Sequence, residues 1–114
     1  MSLGDKQRRF TECIGRLIAW AYANGFELTF GDAYRSPEQA AANAKAGTGI
    51  ANSVHTVRLA VDFNLFKDDV FLTTTDAHRP LGEYWKSLDP EARWGGDFSK
   101  PDGNHYSFTH EGRS

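Results

Sequence analysis

From Phe10 the apolar positions recur at three- and four-residue intervals, through Cys13, Ile14, Leu17, Ile18 and Ala21, which predicts an amphipathic helix from about Asp5 to Asn24. Asn24-Gly25 supplies residues that tolerate a left-handed C-cap. The pattern then changes to period two over Phe26-Glu27-Leu28-Thr29-Phe30, a strand. Ser36-Pro37-Glu38-Gln39 combines an N-cap serine, proline at the first helical position and glutamine at N3, so a second helix opens there and runs to Lys45, with Gly47-Thr48-Gly49 ending it. Residues 58–66 carry the sharpest strand signal: Leu59, Val61, Phe63 and Leu65 form a core face, and Arg58, Ala60, Asp62 and Asn64 the opposite one. A turn at Lys67-Asp68-Asp69 leads into a short apolar piece, Val70-Phe71-Leu72, and a threonine-rich loop. Asp76 is expected to cap a helix running to about Leu88, stopped by Pro90. A short strand at Ala92 to Trp94, a Gly95-Gly96 turn and a last strand from Asn104 to Thr109 complete the pattern.

Composition narrows the classes this pattern allows. With 114 residues, 39% hydrophobic and 13% aromatic, the chain suffices for one compact unit, expected to span 1–114. A formal charge of −2 with scattered basic residues argues against a general polyanion binder, so nucleic acid is not an expected partner. The one cysteine, Cys13, has no partner for an internal disulfide and falls on the core face of the first helix. The first nine residues are polar and basic, with no apolar stretch of signal-peptide or membrane-spanning length after them. The expectation is synthesis in the cytoplasm without a signal peptide, no stable membrane association, and a monomer.

The candidate chemistry lies in a split polar set: His55, Asp62 seven residues later, and Asp102-Gly103-Asn104-His105. Two histidines and a carboxylate can make a three-ligand zinc site with an open position, and Asp102 is spaced to act as a base. Each residue has a plainer reading. His55 alone reads as a loop histidine, and Pro-Asp-Gly-Asn is a good turn sequence by itself. Asp62 is harder to explain away, because aspartate is disfavoured mid-strand and costly to bury unpaired. Pairing with Arg58 is the plain alternative, but residues i and i+4 on one strand face lie roughly 13 Å apart. In an unbroken strand His55 and Asp62 would face opposite ways, so a shared metal requires a bend near Thr56 or Val57. His78 and His110 compete as ligands but lack a carboxylate at comparable spacing on a strand. Trp94-Gly95-Gly96-Asp97-Phe98 reads equally as a packed aromatic with a turn or as a wall of a cleft.

Ser53-x-His55-x-x-Arg58-x-Ala60-x-Asp62 resembles the Ser-x-His-x-x-Gly-x-Ala-x-Asp signature of the zinc murein peptidases, the D,D-carboxypeptidase and D-alanyl-D-alanine dipeptidase family. It departs from that signature at Arg58. The phage-type L-alanyl-D-glutamate endopeptidases (endolysins), where arginine is familiar at this position, are more similar. Their likeness extends through Tyr34-Arg35-Ser36-Pro37-Glu38-Gln39, Leu81-Gly82-Glu83-Tyr84-Trp85, Arg93-Trp94-Gly95-Gly96-Asp97-Phe98 and Asp102-Gly103-Asn104-His105. The resemblance implies an α+β fold of hedgehog/D,D-peptidase type, with helices packed against a small antiparallel sheet that carries zinc. It implies His55, Asp62 and His105 as zinc ligands, Asp102 as general base, Arg35 as a substrate or transition-state clamp, and Ser53, Trp94 and Asp97 as substrate-binding residues. The implied substrate is the stem peptide of peptidoglycan, cut between L-alanine and D-glutamate during phage or prophage lysis, after release of the enzyme to the wall. Two alternatives remain: a D,D-carboxypeptidase acting on terminal D-Ala-D-Ala, and a zinc- or wall-peptide-binding module without turnover.

Overall fold

A computed structural model describes residues 1–47 and 53–114. Helix α1, Leu3–Ala23, begins earlier than its apolar spacing suggests, because Ser2 and Asp5 form a reciprocal capping box at its start. It ends where expected: Asn24 is the C-cap and Gly25 takes φ +84°. The predicted face of α1 is buried, with Phe10, Cys13, Ile14, Leu17 and Ala21 in the core. Helix α2, Pro37–Lys45, opens on Ser36, whose hydroxyl oxygen accepts from the Gln39 N–H. The Gln39 side chain turns along the helix to Asn43. Gly47 follows with φ +78°, and the rest of the expected stop, Thr48-Gly49, lies outside the described residues.

The sheet is built on one long strand, β2 (Ala60–Lys67). β1 (Glu27–Phe30) pairs antiparallel with residues 63–66 of β2, β3 (Val70–Leu72) pairs with residues 65–67, and β5 (His105–Phe108) pairs with residues 60–62. β4 (Ala92–Trp94) adds to β5, giving the order β1-β2-β5-β4 with β3 off that path. Since β1 and β3 both pair with Leu65 and Phe66, they must lie on opposite edges of β2. β5 and β3 therefore share one edge of β2, with a notch between them at Phe63 and Asn64.

Helix α3 runs Thr75–Lys86, and its N-cap is Thr74 rather than Asp76: the Thr74 hydroxyl oxygen accepts from the Ala77 N–H. Asp76 sits in the first turn, bonded to Arg79. Phe10 of α1 joins the layers through edge-on contacts with Trp85 of α3 at 5.6 Å and Phe108 of β5 at 5.2 Å. Gly82 lets α3 approach β4, because a Cβ there would come within 2.2 Å of the Trp94 indole. The result is α+β, with helices packed against a small antiparallel sheet.

Candidate metal centre

The bend that the strand parity requires is a single 3₁₀ turn, Val54–Val57, closed by Arg58 in the left-handed region at φ 58° and ψ 39°. Ser53 starts this turn, its hydroxyl oxygen accepting from the His55 N–H at 3.2 Å, so the serine of the motif holds the histidine backbone in place. The Arg58 guanidinium lies over the Tyr34 ring at 4.0 Å.

The backbone of Asp62 is fixed from the β1 edge of its strand. Its N–H donates to the Asp32 carbonyl at 2.7 Å and its own carbonyl accepts from the Gly31 N–H at 2.8 Å. Across the sheet it stands directly opposite His105, so their side chains share a face. Asp62 Oδ1 is 3.4 Å from His55 Nε2 and 3.2 Å from His105 Nδ1. The remaining ring nitrogens are engaged elsewhere: His55 Nδ1 with the Ala33 carbonyl at 2.9 Å, and His105 Nε2 with the main-chain oxygen of Ser114 at 2.9 Å. In the tautomers where those nitrogens donate, each ring turns a lone pair toward Asp62, the arrangement a metal-ligating histidine uses.

Among the described residues, His55, Asp62 and His105 form the one group of its kind with ligand atoms all within 4.8 Å of one another. Tetrahedral ligands about 2.05 Å from zinc are separated by roughly 3.3 Å, so the two contacts to Asp62 fit such an ion. The donor set fits as well: two nitrogens and one carboxylate oxygen, with room for a fourth ligand.

The charges of the metal-free centre follow from these contacts. Burial works against the Asp62 charge, but hydrogen bonds and positive charge from His105 and His55 prevail, and its pKa falls to about 2. Burial likewise works against a charged His55, yet the Asp62 carboxylate and the Ala33 carbonyl raise its pKa. Asp102 is raised, first by partial desolvation of its carboxyl and then by the Asp62 charge, with His105 and His55 opposing. Asp102 is thus in the field of all three cluster residues while lying outside the cluster. Its backbone also makes the turn that its sequence suggests: the N–H donates to Gly95 and the carbonyl accepts from the His105 N–H. Gly95 permits this, since a Cβ there would sit 2.0 Å from the Asp102 carbonyl oxygen.

The other sequence candidates fall in different places. The Arg35 N–H donates to the His55 carbonyl, and its guanidinium pairs with Asp32 at 2.8 Å. Trp94 is buried, with its indole N–H donating to the Gly103 carbonyl at 2.7 Å, so it braces the Asp102 turn from below. Asp97 pairs with Lys86 of α3 at 2.8 Å, outside the cluster. His78 is buried against the Tyr106 hydroxyl at 2.8 Å, and burial depresses its pKa to about 4. The Ala33 and Asp32 carbonyls that orient the cluster leave no mark in residue identity, because any residue supplies a carbonyl.

A family profile described as D-alanyl-D-alanine carboxypeptidase matches residues 46–108. The L-alanyl-D-glutamate peptidase of Listeria phage A118 is 33% identical over 102 residues, covering 85% of this chain and 36% of its own length. The chain therefore spans about a third of the curated relative it matches. The L-Ala D-Glu endopeptidase ChiX of Serratia marcescens superposes with a TM-score of 0.70 at 21% identity, covering 87% of this chain and 79% of its own. A Zn(II) complex of the vancomycin-resistance D,D-pentapeptidase VanY gives 0.63 at 21% identity, covering 90% and 71%. These two structures share the fold.

Proposed function

Because the chain belongs to the D-alanyl-D-alanine carboxypeptidase family, we propose that it is a zinc peptidase of peptidoglycan that cleaves the stem peptide between L-alanine and D-glutamate. The observation that carries this reading is the convergence of His55, Asp62 and His105 beside Asp102. The choice of bond rests on the likeness to the phage peptidase, and the same likeness supports action on the cell wall in phage or prophage lysis. The chain is taken to act as a single catalytic unit and as a monomer. Among the described residues no helix is long and apolar enough to cross a membrane.

His55, Asp62 and His105 would hold the ion. When bound, zinc supplies Lewis-acid chemistry, making water acidic enough to ionise near neutral pH. Asp102 receives the proton of the attacking water on its carboxylate and returns it to the leaving amine. Its raised pKa suits both steps, because a base closer to neutrality is a better acid–base shuttle than an ordinary carboxylate. Arg35 sets positive charge at the edge of the site, where it can meet a substrate carboxylate or the developing oxyanion. Ser53 acts through His55, and Trp94 through the Asp102 turn.

Incubation of the purified protein with intact peptidoglycan, followed by mass spectrometry of the fragments, tests the reading. New amino-terminal D-glutamate is expected. Free D-alanine would instead identify a D,D-carboxypeptidase, and binding with no product a module without turnover. Asp102→Asn should lower kcat by about 10²–10⁴-fold with zinc content unchanged after dialysis, whereas His55→Ala should lose zinc. Equal zinc in His55→Ala and the parent would remove His55 from the ligand set.

A further inference from the structure

The notch on the β2 edge, between the end of β3 and the start of β5, opens into a cavity of about 280 Å³. Asn64 lies at its strand side, Thr73 and Thr75 on one flank, Asn104 and Asp102 on the other, and Phe71 forms part of the wall. Asp102 thus belongs both to this cavity and to the field of the metal cluster, so whatever fills the cavity lies against the proposed base. The two parts are held together tightly: a Cβ on Gly103, next to Asp102, would come within 2.6 Å of the Thr75 Cα.

The chemistry of the lining selects the occupant. Apart from Asp102, the one ionisable side chain among the lining residues is His78, which burial keeps neutral over most of the pH range. Hydroxyls and carboxamides supply donors and acceptors together, and the Phe71 ring, 53% exposed, offers an apolar face. An anionic group would find no cation here and would meet Asp102. The Arg35 guanidinium lies on the other side of Asp62, in a cleft it shares with Ser36 and with Asp32, its ion-pair partner at 2.8 Å. The cavity thus holds no cation, whereas the cleft beyond Asp62 presents a guanidinium, held by its ion pair with Asp32.

We propose that this cavity is a subsite for the uncharged, N-acetylated sugar attached to the amino side of the stem peptide, which directs the acidic D-glutamate side toward Arg35. This rests on the peptidoglycan reading above and deepens it, naming the sugar-bearing strand rather than a free peptide as the preferred substrate. The amide and hydroxyls of the sugar bond the threonine and asparagine side chains, and its apolar face stacks on Phe71.

The test compares kcat/KM for a stem peptide carrying N-acetylmuramic acid with that for the same peptide without the sugar. The parent should prefer the sugar-bearing peptide by about tenfold or more, and Phe71→Ala and Thr73→Val should each reduce that ratio toward one. Both side chains are exposed, so the fold should survive. A parent ratio of one, or a ratio unmoved in both variants, would overturn the subsite. A protein that cleaves neither peptide refutes the catalytic reading, and the subsite is then decided by NMR titration of the parent with N-acetylmuramoyl-L-alanyl-D-glutamate. Amide shifts at Thr73, Thr75 and Asn104 support it; shifts absent from these residues refute it.

Discussion

At Arg58 one backbone angle links motif and geometry. His55 and Asp62 could share a metal only if the chain bent between them, and the bend ends on a residue with φ 58°. Glycine reaches this region without strain, which gives a physical reason for the glycine in the wider family signature that the segment resembles. A side chain there costs about 1 kcal/mol. Arg58 recovers part of that through the Tyr34 ring at 4.0 Å, a contact worth about 0.5–1 kcal/mol at an exposed site. The two effects separate by substitution. Arg58→Ala keeps the strain and loses the stack, so it should be destabilised by about 0.5–1 kcal/mol; Arg58→Gly loses both and should be close to the parent. Urea midpoints should rank glycine above alanine, and the reverse order would mean that the angle carries no strain. The parity of β2 made the need for this bend legible, whereas its realisation as a left-handed residue was not, because arginine gives no local signal for positive φ.

At the scale of elements, strong periodicity was legible and the ends were less so. The core faces of α1 and β2 and the short β4 follow the apolar spacing, while the start of α3 fell to Thr74 because neighbouring hydroxyl and carboxylate residues compete for one cap. The contact between α3 and β5 was invisible in sequence: His78 looked like a competing ligand, yet its Nδ1 meets the Tyr106 hydroxyl in the interior. That burial has a consequence for stability. The folded pKa of His78, about 4, lies below the ordinary histidine value of about 6.5, so between these the unfolded chain takes up a proton that the folded chain refuses. Stability therefore falls as pH drops from about 6.5 to about 4 and is flat in this respect below, a loss of about 3 kcal/mol from this group. In metal-free protein, the difference in unfolding free energy between pH 7.5 and pH 4.5 should shrink in His78→Gln relative to the parent. An identical pH dependence in both would show that His78 titrates normally in the fold.

For the whole molecule, the cluster joins the 3₁₀ turn with His55 and the adjoining β2 with Asp62 to β5 with His105, more than forty residues further along the chain. Of the cluster, Asp62 was legible by itself, because an aspartate in mid-strand requires a partner, whereas each histidine alone was ambiguous and gained meaning only from the motif around it. Their convergence depends on the β2–β5 register and on backbone carbonyls, which are tertiary properties. Since the unfolded chain cannot assemble the three ligands, metal binding stabilises the fold by RT ln(1 + [Zn]/Kd), about 2.7 kcal/mol at a free zinc concentration 100 times Kd. For a chain of this size that corresponds to a rise in Tm on the order of 10 °C. The sign of its pH dependence follows from His55, whose pKa in the metal-free centre is raised above the ordinary histidine value. Protonated His55 cannot ligate, so protons displace zinc as pH falls through that raised pKa. The difference in Tm between zinc-loaded and chelator-treated protein should thus be larger at pH 8 than at pH 5.5, and His55→Ala should show little difference at either. A Tm gap independent of pH in the parent would mean that the ion binds without displacing a proton from His55, and the assignment of its Nε2 as a ligand would fall.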